Sequence, residues 1–354
     1  MSGTDNQAVR PAVLFETADD LDAINRLYRK NRWSDGLPIV PPTKERVEAM
    51  LKCAGRPRDA LVARVAPAFG PATVEGIAIN AVMAGCDPEY LPVLIAAVEA
   101  ATAPEFNLQA VQATTNPVAV MIILNGPLAR TLEVNSTFNC LGEGSWANAT
   151  LGRALRLVLR NIGGALPGDM DRATQGQPGK YSFCCAENEA DSPWEPLHVE
   201  RGFRADQSTV TVVGVEGTIN MNTHTEVGAE VLQMFAQTMI HPPSNEYIFG
   251  GEPWLILGPE HAATLARAGY SKADVKARLW ELSRMPASIL PPKDLERVRN
   301  ARRPELGEFG AEAMLSISPR PEDICIIVAG GPGTHSTYAP SFGMIRAVTR
   351  VVGE

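Results

Sequence analysis

The chain is short of positive charge and has no long apolar stretch. Its 32 Lys and Arg stand against 40 Asp and Glu, a net charge of −8 with pI near 5.3. A broad surface for the phosphate backbone of nucleic acid is therefore not expected. The longest apolar strings, such as residues 118–124, fall far short of the roughly 20 residues a membrane helix needs. The opening residues lack the basic start and apolar run of a secretory signal. Neither nucleic acid nor a membrane is an expected partner, and the expected location is the cytoplasm. The cysteines (Cys53, Cys86, Cys140, Cys184, Cys185 and Cys325) form no C-x-x-C pair and no zinc-ligand spacing, which fits free thiols in a reducing compartment. No P-loop or dinucleotide fingerprint is present, so no nucleotide or flavin is indicated, and the cofactor is left unknown with a metal still open.

What is present is ordinary for a soluble globular protein: 354 residues, 45% hydrophobic and 20% charged, enough for two domains or one large α/β unit. Apolar residues at 74, 77, 78, 81 and 82 have helical spacing and stop at Gly85, while Asp87-Pro88 opens a further helix. Residues 118–124 and 324–329 read as strands buried on both faces. The unit of strand, Gly-Pro, helix, Gly and Ser-capped helix occurs around Gly126-Pro127, after strand 118–124, and again around Gly258-Pro259, after strand 254–257. Strand 61–65 before helix 74–85 is matched with strand 209–215 before helix 226–240. The expected fold is α/β, a mixed or parallel sheet with helices on both faces and an internal duplication. The corresponding divisions are an N-terminal helical segment (1–60), a first repeat (61–162), an inserted functional loop (163–203), a second repeat (204–300), and a C-terminal strand and Gly-rich turn completing the sheet (301–354).

Residues 163–203 show neither helical nor strand periodicity yet are crowded with reactive side chains. So long a connection in a compact domain is usually a binding loop, lid or linker, and its aromatic residues argue against a linker. Cys184 and Cys185 are candidate nucleophiles if a His or Arg lies beside them, although burial as small hydrophobes is the commoner fate. Glu187, Glu189, His198 and Glu200 offer acid, base or metal-ligand chemistry, or form a solvated acidic tip. Trp194 between two prolines walls a pocket or anchors the loop. Arg201 is a candidate anion clamp. Beyond the loop, Ser145 opens a helix suited to an anion or simply caps it. Gly331, Gly333, His335 and Ser336 lie in a Gly-rich turn that resembles an anion nest or is only a tight turn. Arg153, Arg156 and Arg160 share one face of helix 147–160, expected to face water, with anion binding as the alternative. Asp35 in the turn 33–38 is a further candidate acid. His241, at a helix end, is expected to favour its protonated form.

Five strings, WSDGLPIVPPT (33–43), NAVMAGC (80–86), GKYSFCCAENE (179–189), SPWEPLHVERGF (192–203) and AGGPGTHS (329–336), resemble an uncharacterised family of bacterial cytoplasmic proteins. Members of that family look related to, or encoded with, proteins carrying a (seleno)cysteine-Gly-Ser-Cys motif. The resemblance implies thiol or selenol chemistry nearby, although this chain has no Cys-Gly-Ser-Cys.

The leading expectation is an enzyme or enzyme subunit acting on a small polar, anionic metabolite by thiol-assisted or acid/base lyase or reductive chemistry. Its site would join loop 163–203, the Gly-rich turn and the helix start at Ser145. Two alternatives stand beside it: a non-catalytic scaffold for a thiol or selenol protein, and a metal-dependent hydrolase or hydratase built on Glu187, Glu189, His198 and Glu200. A homo-oligomer is also open.

Overall fold

Alternation along the central strands decides the architecture. In β3 (Ala119–Asn125), Ile122 and Leu124 enter one core while Met121 and Ile123 enter another, as the two-residue period of a strand requires. The same split holds in β4 (Cys184–Ala186) and β5 (Thr209–Val215), where Cys184, Val210 and Val212 face the first core and Cys185, Val213 and Val215 the second. With β12 (Val348–Val351) these strands form a sheet of order β12-β5-β3-β4. A second sheet, of order β10-β7-β11-β6, contains β6 (Ile219–Asn222), β7 (Trp254–Leu257), β10 (Cys325–Val328) and β11 (His335–Ala339). Its residues Trp254, Ile256, Cys325, Ile327 and Ala339 share the core that Met121 and Cys185 enter. The two sheets therefore pack face to face, with helices on the two outer faces. A hairpin of β1 (Leu61–Val65) and β2 (Gly70–Thr73) and a two-residue pair of β8 (Met285–Pro286) and β9 (Met314–Leu315) lie outside both sheets. This is a computed structural model describing residues 12–242 and 244–353. The first eleven residues of the expected N-terminal segment lie outside it.

The first outer layer is built by α2 (Lys44–Leu51), α3 (Val74–Ala84), α4 (Leu91–Ala101), α5 (Leu108–Gln112), α6 (Pro127–Thr131) and α7 (Trp146–Asn161), with α1 (Leu21–Lys30) at its edge. On the second face lie α9 (Gly228–Met239), α10 (Asn245–Phe249), α11 (Pro259–Arg267), α12 (Lys272–Leu282) and α13 (Pro292–Ala301). Two short helices, α8 (Leu197–Glu200) and α14 (Arg303–Leu306), complete the set. Local chemistry sets several ends: Thr73 Oγ1 accepts from Gly76 N at 3.0 Å to start α3, and Gly85 at φ +92° ends it. Among the described residues no helix is long and apolar enough to cross a membrane.

The mixed α/β class is as expected, but there are two sheets, and the supposed loop 163–203 contributes β4 and α8. A three-residue strand is too short for its alternation to be legible. In each sheet the strand leading into Gly-Pro and a helix, β3 or β7, has a parallel neighbour (β4 or β10) on one side and an antiparallel one (β5 or β11) on the other. Beyond the antiparallel neighbour lies the strand that follows, in sequence, the antiparallel strand of the other sheet: β12, which follows β11, beside β5, and β6, which follows β5, beside β11. The match is one of topology; the duplication of sequence stays an expectation. The proposed correspondence of 61–65 with 209–215 does not hold, because β1 lies in its own hairpin while β5 is central. Likewise residues 301–354 supply strands to both sheets rather than one closing strand.

Where β5 and β11 end side by side, two carboxyl groups are buried. Glu246 accepts from Ser341 N at 2.8 Å and from the Tyr338 hydroxyl, and burial pushes its pKa up to about 8. Glu216 accepts from the side-chain amides of Asn116 and Asn245, and burial pushes it up to about 7. Both folded-state values lie above the ordinary 4.5, so the native state holds protons that the unfolded state releases. Their stabilisation is complete below pH 4.5 and is lost as pH rises through about 7 and about 8. In urea titrations at pH 5 and pH 8.5, Glu246→Gln should lose less stability with rising pH than the wild type, by at least about 1 kcal/mol. Equal losses would contradict the assignment.

Candidate functional site

The arginine face of α7 does not look into water. The turn 33–38 and residues 167–181 fold over it, leaving the side chains of Arg153, Arg156 and Lys180 only 14–16% exposed. Ser145 caps the helix by accepting from Asn148 N at 3.2 Å, which fixes the phase at which the arginines emerge. Arg153 is held bidentately by Asp35 at 2.8 and 2.9 Å. Arg156 donates to Asp171 Oδ2 and to Gln112 Oε1, both at 2.8 Å. Lys180 Nζ lies 2.9 and 2.8 Å from the two Asp171 oxygens. Arg160 donates to the Arg32 carbonyl at 3.1 Å, and its Nε is buried without a partner among the described residues.

Of these, Asp35, Arg156, Arg160, Asp171 and Lys180 border a cavity of about 240 Å³, with Gln177 and Tyr181 among its other walls. Burial lowers the pKa of Arg160, and the neighbouring Arg156 lowers it further. Burial lowers that of Lys180 too, against the pull of Asp171. For Asp171, burial acts upward but is outweighed, Lys180 first, so its carboxyl lies below the ordinary range. Three cations thus share two carboxylates beside a fourth, Arg160, that has no ion pair among the described residues, and an incoming anion gains from this charge that the protein leaves uncompensated.

The cysteines are placed otherwise. Cys184 and Cys185 point to opposite faces of the first sheet, both buried, and burial drives both thiols well above the ordinary cysteine range. The ionisable groups beside them, Cys86 for one and Cys140, Cys184 and Glu187 for the other, are all of acidic type and none lowers a thiol pKa, so neither is placed as a nucleophile. Glu187, Glu189 and His198 do come together, at the carboxyl ends of β3 and β4. Asn125 Nδ2 donates to Glu187 Oε2 at 2.6 Å and Glu189 Oε1 at 3.1 Å; Gly126 N donates to Glu189 at 2.7 Å, and His198 Nδ1 is 3.8 Å away from it. Burial raises the Glu187 pKa. His198 is fully buried, with both ring nitrogens unpartnered, while the Glu189 side chain is 30% exposed. An amide donor stands between the two carboxylates, where a metal would require acceptors. Among the described residues no three His, Cys, Asp or Glu are grouped to hold a metal, and Glu200 is taken by Lys272 and Lys276.

The remaining expected residues scatter. His335 is exposed on the second sheet, with Nδ1 3.1 Å from Asn220 Oδ1. Ser336 turns inward to Gly258 N at 3.0 Å and His261 Nδ1 at 2.8 Å. Arg201 is no anion clamp: it donates to the Ala347 carbonyl at 3.0 Å and lies over the Trp254 ring. Trp194 donates to the Tyr270 carbonyl at 3.1 Å and packs on the second core, so it anchors the loop. Gly331 lies against the Phe138 ring and Gly333 adopts φ +144°, as a tight turn needs. His241, expected to be protonated by a helix end, has its pKa lowered by burial instead. The composite of cysteine, His335 and Arg201 is therefore not assembled. Lys180, Asp171 and Gln177 were missed by sequence reasoning; the available signal was a Gly-rich segment directly after an arginine face. No protein-family model, curated protein or solved structure matches the chain.

In the folded protein, Cys184 and Cys185 should resist iodoacetamide while half-buried Cys53 reacts, and should label once urea unfolds the chain. Peptide mass spectrometry reads this directly, and fast native labelling at either position would return it to the list of nucleophiles.

Proposed function

We propose that this protein binds a small anionic metabolite in the cavity over α7 and acts on it by acid/base rather than thiol chemistry. The observation that carries the reading is Arg160, a half-buried guanidinium with a buried, unpartnered Nε and no ion pair among the described residues. Arg156 and Arg160 serve as anion ligands, guanidinium forks being suited to carboxylate and phosphate. Lys180, the primary amine at the cavity, carries the proton, since burial weakens the hold of its ammonium. At about 240 Å³ the cavity lies below the roughly 300–1,000 Å³ of drug-sized sites, which favours a ligand of few heavy atoms over a nucleotide. Two of the strings that carry the family resemblance contribute here, through Asp35 and through Lys180 with Tyr181. A cytoplasmic location accords with the free cysteines.

Calorimetric titration with inorganic phosphate, malonate and succinate tests the reading. At least one should bind saturably, and Arg160→Met should weaken it about tenfold or more, the equivalent of ~1.4 kcal/mol. Affinity unchanged in Arg160→Met, or no binding of any small anion, would reject the site.

A further inference from the structure

The other end of α7 borders a second cavity of about 520 Å³ with a lining of opposite character. Its walls carry the rings of Tyr90, Phe138 and Trp146 and the carboxylates of Glu133 and Glu143, and no Lys, Arg or His is among the described residues that line it. Neither glutamate has an ion-pair or hydrogen-bond partner for its carboxylate among the described residues. Phe138 and Trp146 are 67% and 61% exposed, an expense of apolar surface that a purely structural role does not require.

The Phe138 ring and the backbone that carries it into α7 are nevertheless held in place. Asn148, only 3% exposed, accepts from Asn135 N at 2.8 Å and Ser145 Oγ at 2.9 Å, and donates to the Asn135 and Cys140 carbonyls at 2.9 and 3.0 Å. Asn135 in turn donates to the Phe138 carbonyl at 2.8 Å and accepts from Thr137 N at 2.8 Å. The Phe138 ring rests on Gly331, where a Cβ would come within 2.2 Å of it. The glycine of the C-terminal turn thus makes room for an aromatic ring rather than for an anion. Preorganised aromatic faces beside unpaired carboxylates attract a cation that is bulky and weakly hydrated, since ring quadrupole and carboxylate act in the same direction.

We propose that this cavity binds a small organic ammonium ion, with Phe138 and Trp146 as its aromatic walls and Glu133 and Glu143 as its counter-charges. The site is independent of the anion cavity. Titration with tetramethylammonium chloride, against sodium chloride at equal ionic strength, should give saturable binding by calorimetry, with a Kd on the order of millimolar. Tryptophan fluorescence should respond in the wild type and lose that response in Trp146→Phe. Phe138→Ala should weaken binding about five-fold, and the double variant Glu133→Gln/Glu143→Gln should weaken it at least as much. Arg160→Met should leave it unchanged. Phe138 and both glutamates lie at the cavity wall rather than in a core, and far-ultraviolet circular dichroism confirms that the variants fold. Heats no larger than those of sodium chloride, or affinity that survives both Phe138→Ala and the double glutamine variant, would overturn the proposal.

Discussion

The face-to-face contact of the two sheets is the constraint on which the rest of the fold depends. Met121, Ile123, Cys185 and Val213 from one and Trp254, Ile256 and Ile327 from the other interdigitate in a core from which water is excluded. Burial of so much apolar surface, at roughly 25 cal/mol per Å², is the largest favourable contribution available to this contact. Trp254 is its largest member, and its buried indole N–H has no acceptor among the described residues, so the ring's area outweighs an unmade hydrogen bond. Arg201 covers that ring and bonds to the strand-end carbonyl of Ala347, sealing the contact at its edge. Residues selected for reactivity by their chemical type are, in place, the fabric of this interface.

The helix α7 carries the polar consequences outward. Its 16 residues extend about 24 Å, long enough to separate two cavities of opposite sign. Carboxylates gather near its first turn and guanidinium groups near its last, the arrangement that its own dipole favours at each end. One face of the same helix is packed into the first core through Leu151, Leu155, Val158 and Leu159, so both cavities rest on a rigid support.

The strands 118–124, 254–257 and 324–329 were legible because each is a continuous apolar run bounded by turn residues, the mark of a strand covered on both sides, and 209–215 because it is rich in β-branched Thr and Val. Such runs do not reveal whether the second cover is a helix or another sheet, and that ambiguity hid the division into two sheets. Of the candidate site, Glu187, Glu189 and His198 were found together as expected, since neighbours in sequence at a strand end remain neighbours in space. The cavity over α7 was not legible. Arg156 and Asp171 are brought together by the folding back of a Gly-rich segment, and nothing local distinguishes arginines beneath such a segment from arginines in water. Expecting Cys184 and Cys185 at a site failed for a similar reason: a strand of three residues gives no pattern by which its inward and outward side chains are told apart.

The crossing of β6 and β12 into each other's sheets bears on how the chain is made. Until residues 348–351 have left the ribosome, β5 presents an unpaired edge, and the sheet begun by β3 cannot close on that side. The pairing of Val348 with Val212 spans more than a third of the chain, so completion waits on contacts remote in sequence, which form slowly. A fragment ending after β6 would carry β6 with no sheet to join and β5 paired to β3 but bare along its other edge. The two halves are therefore one unit of inheritance in synthesis and degradation alike: neither can be cut free, replaced or folded ahead of the other without exposing a strand edge to aggregation.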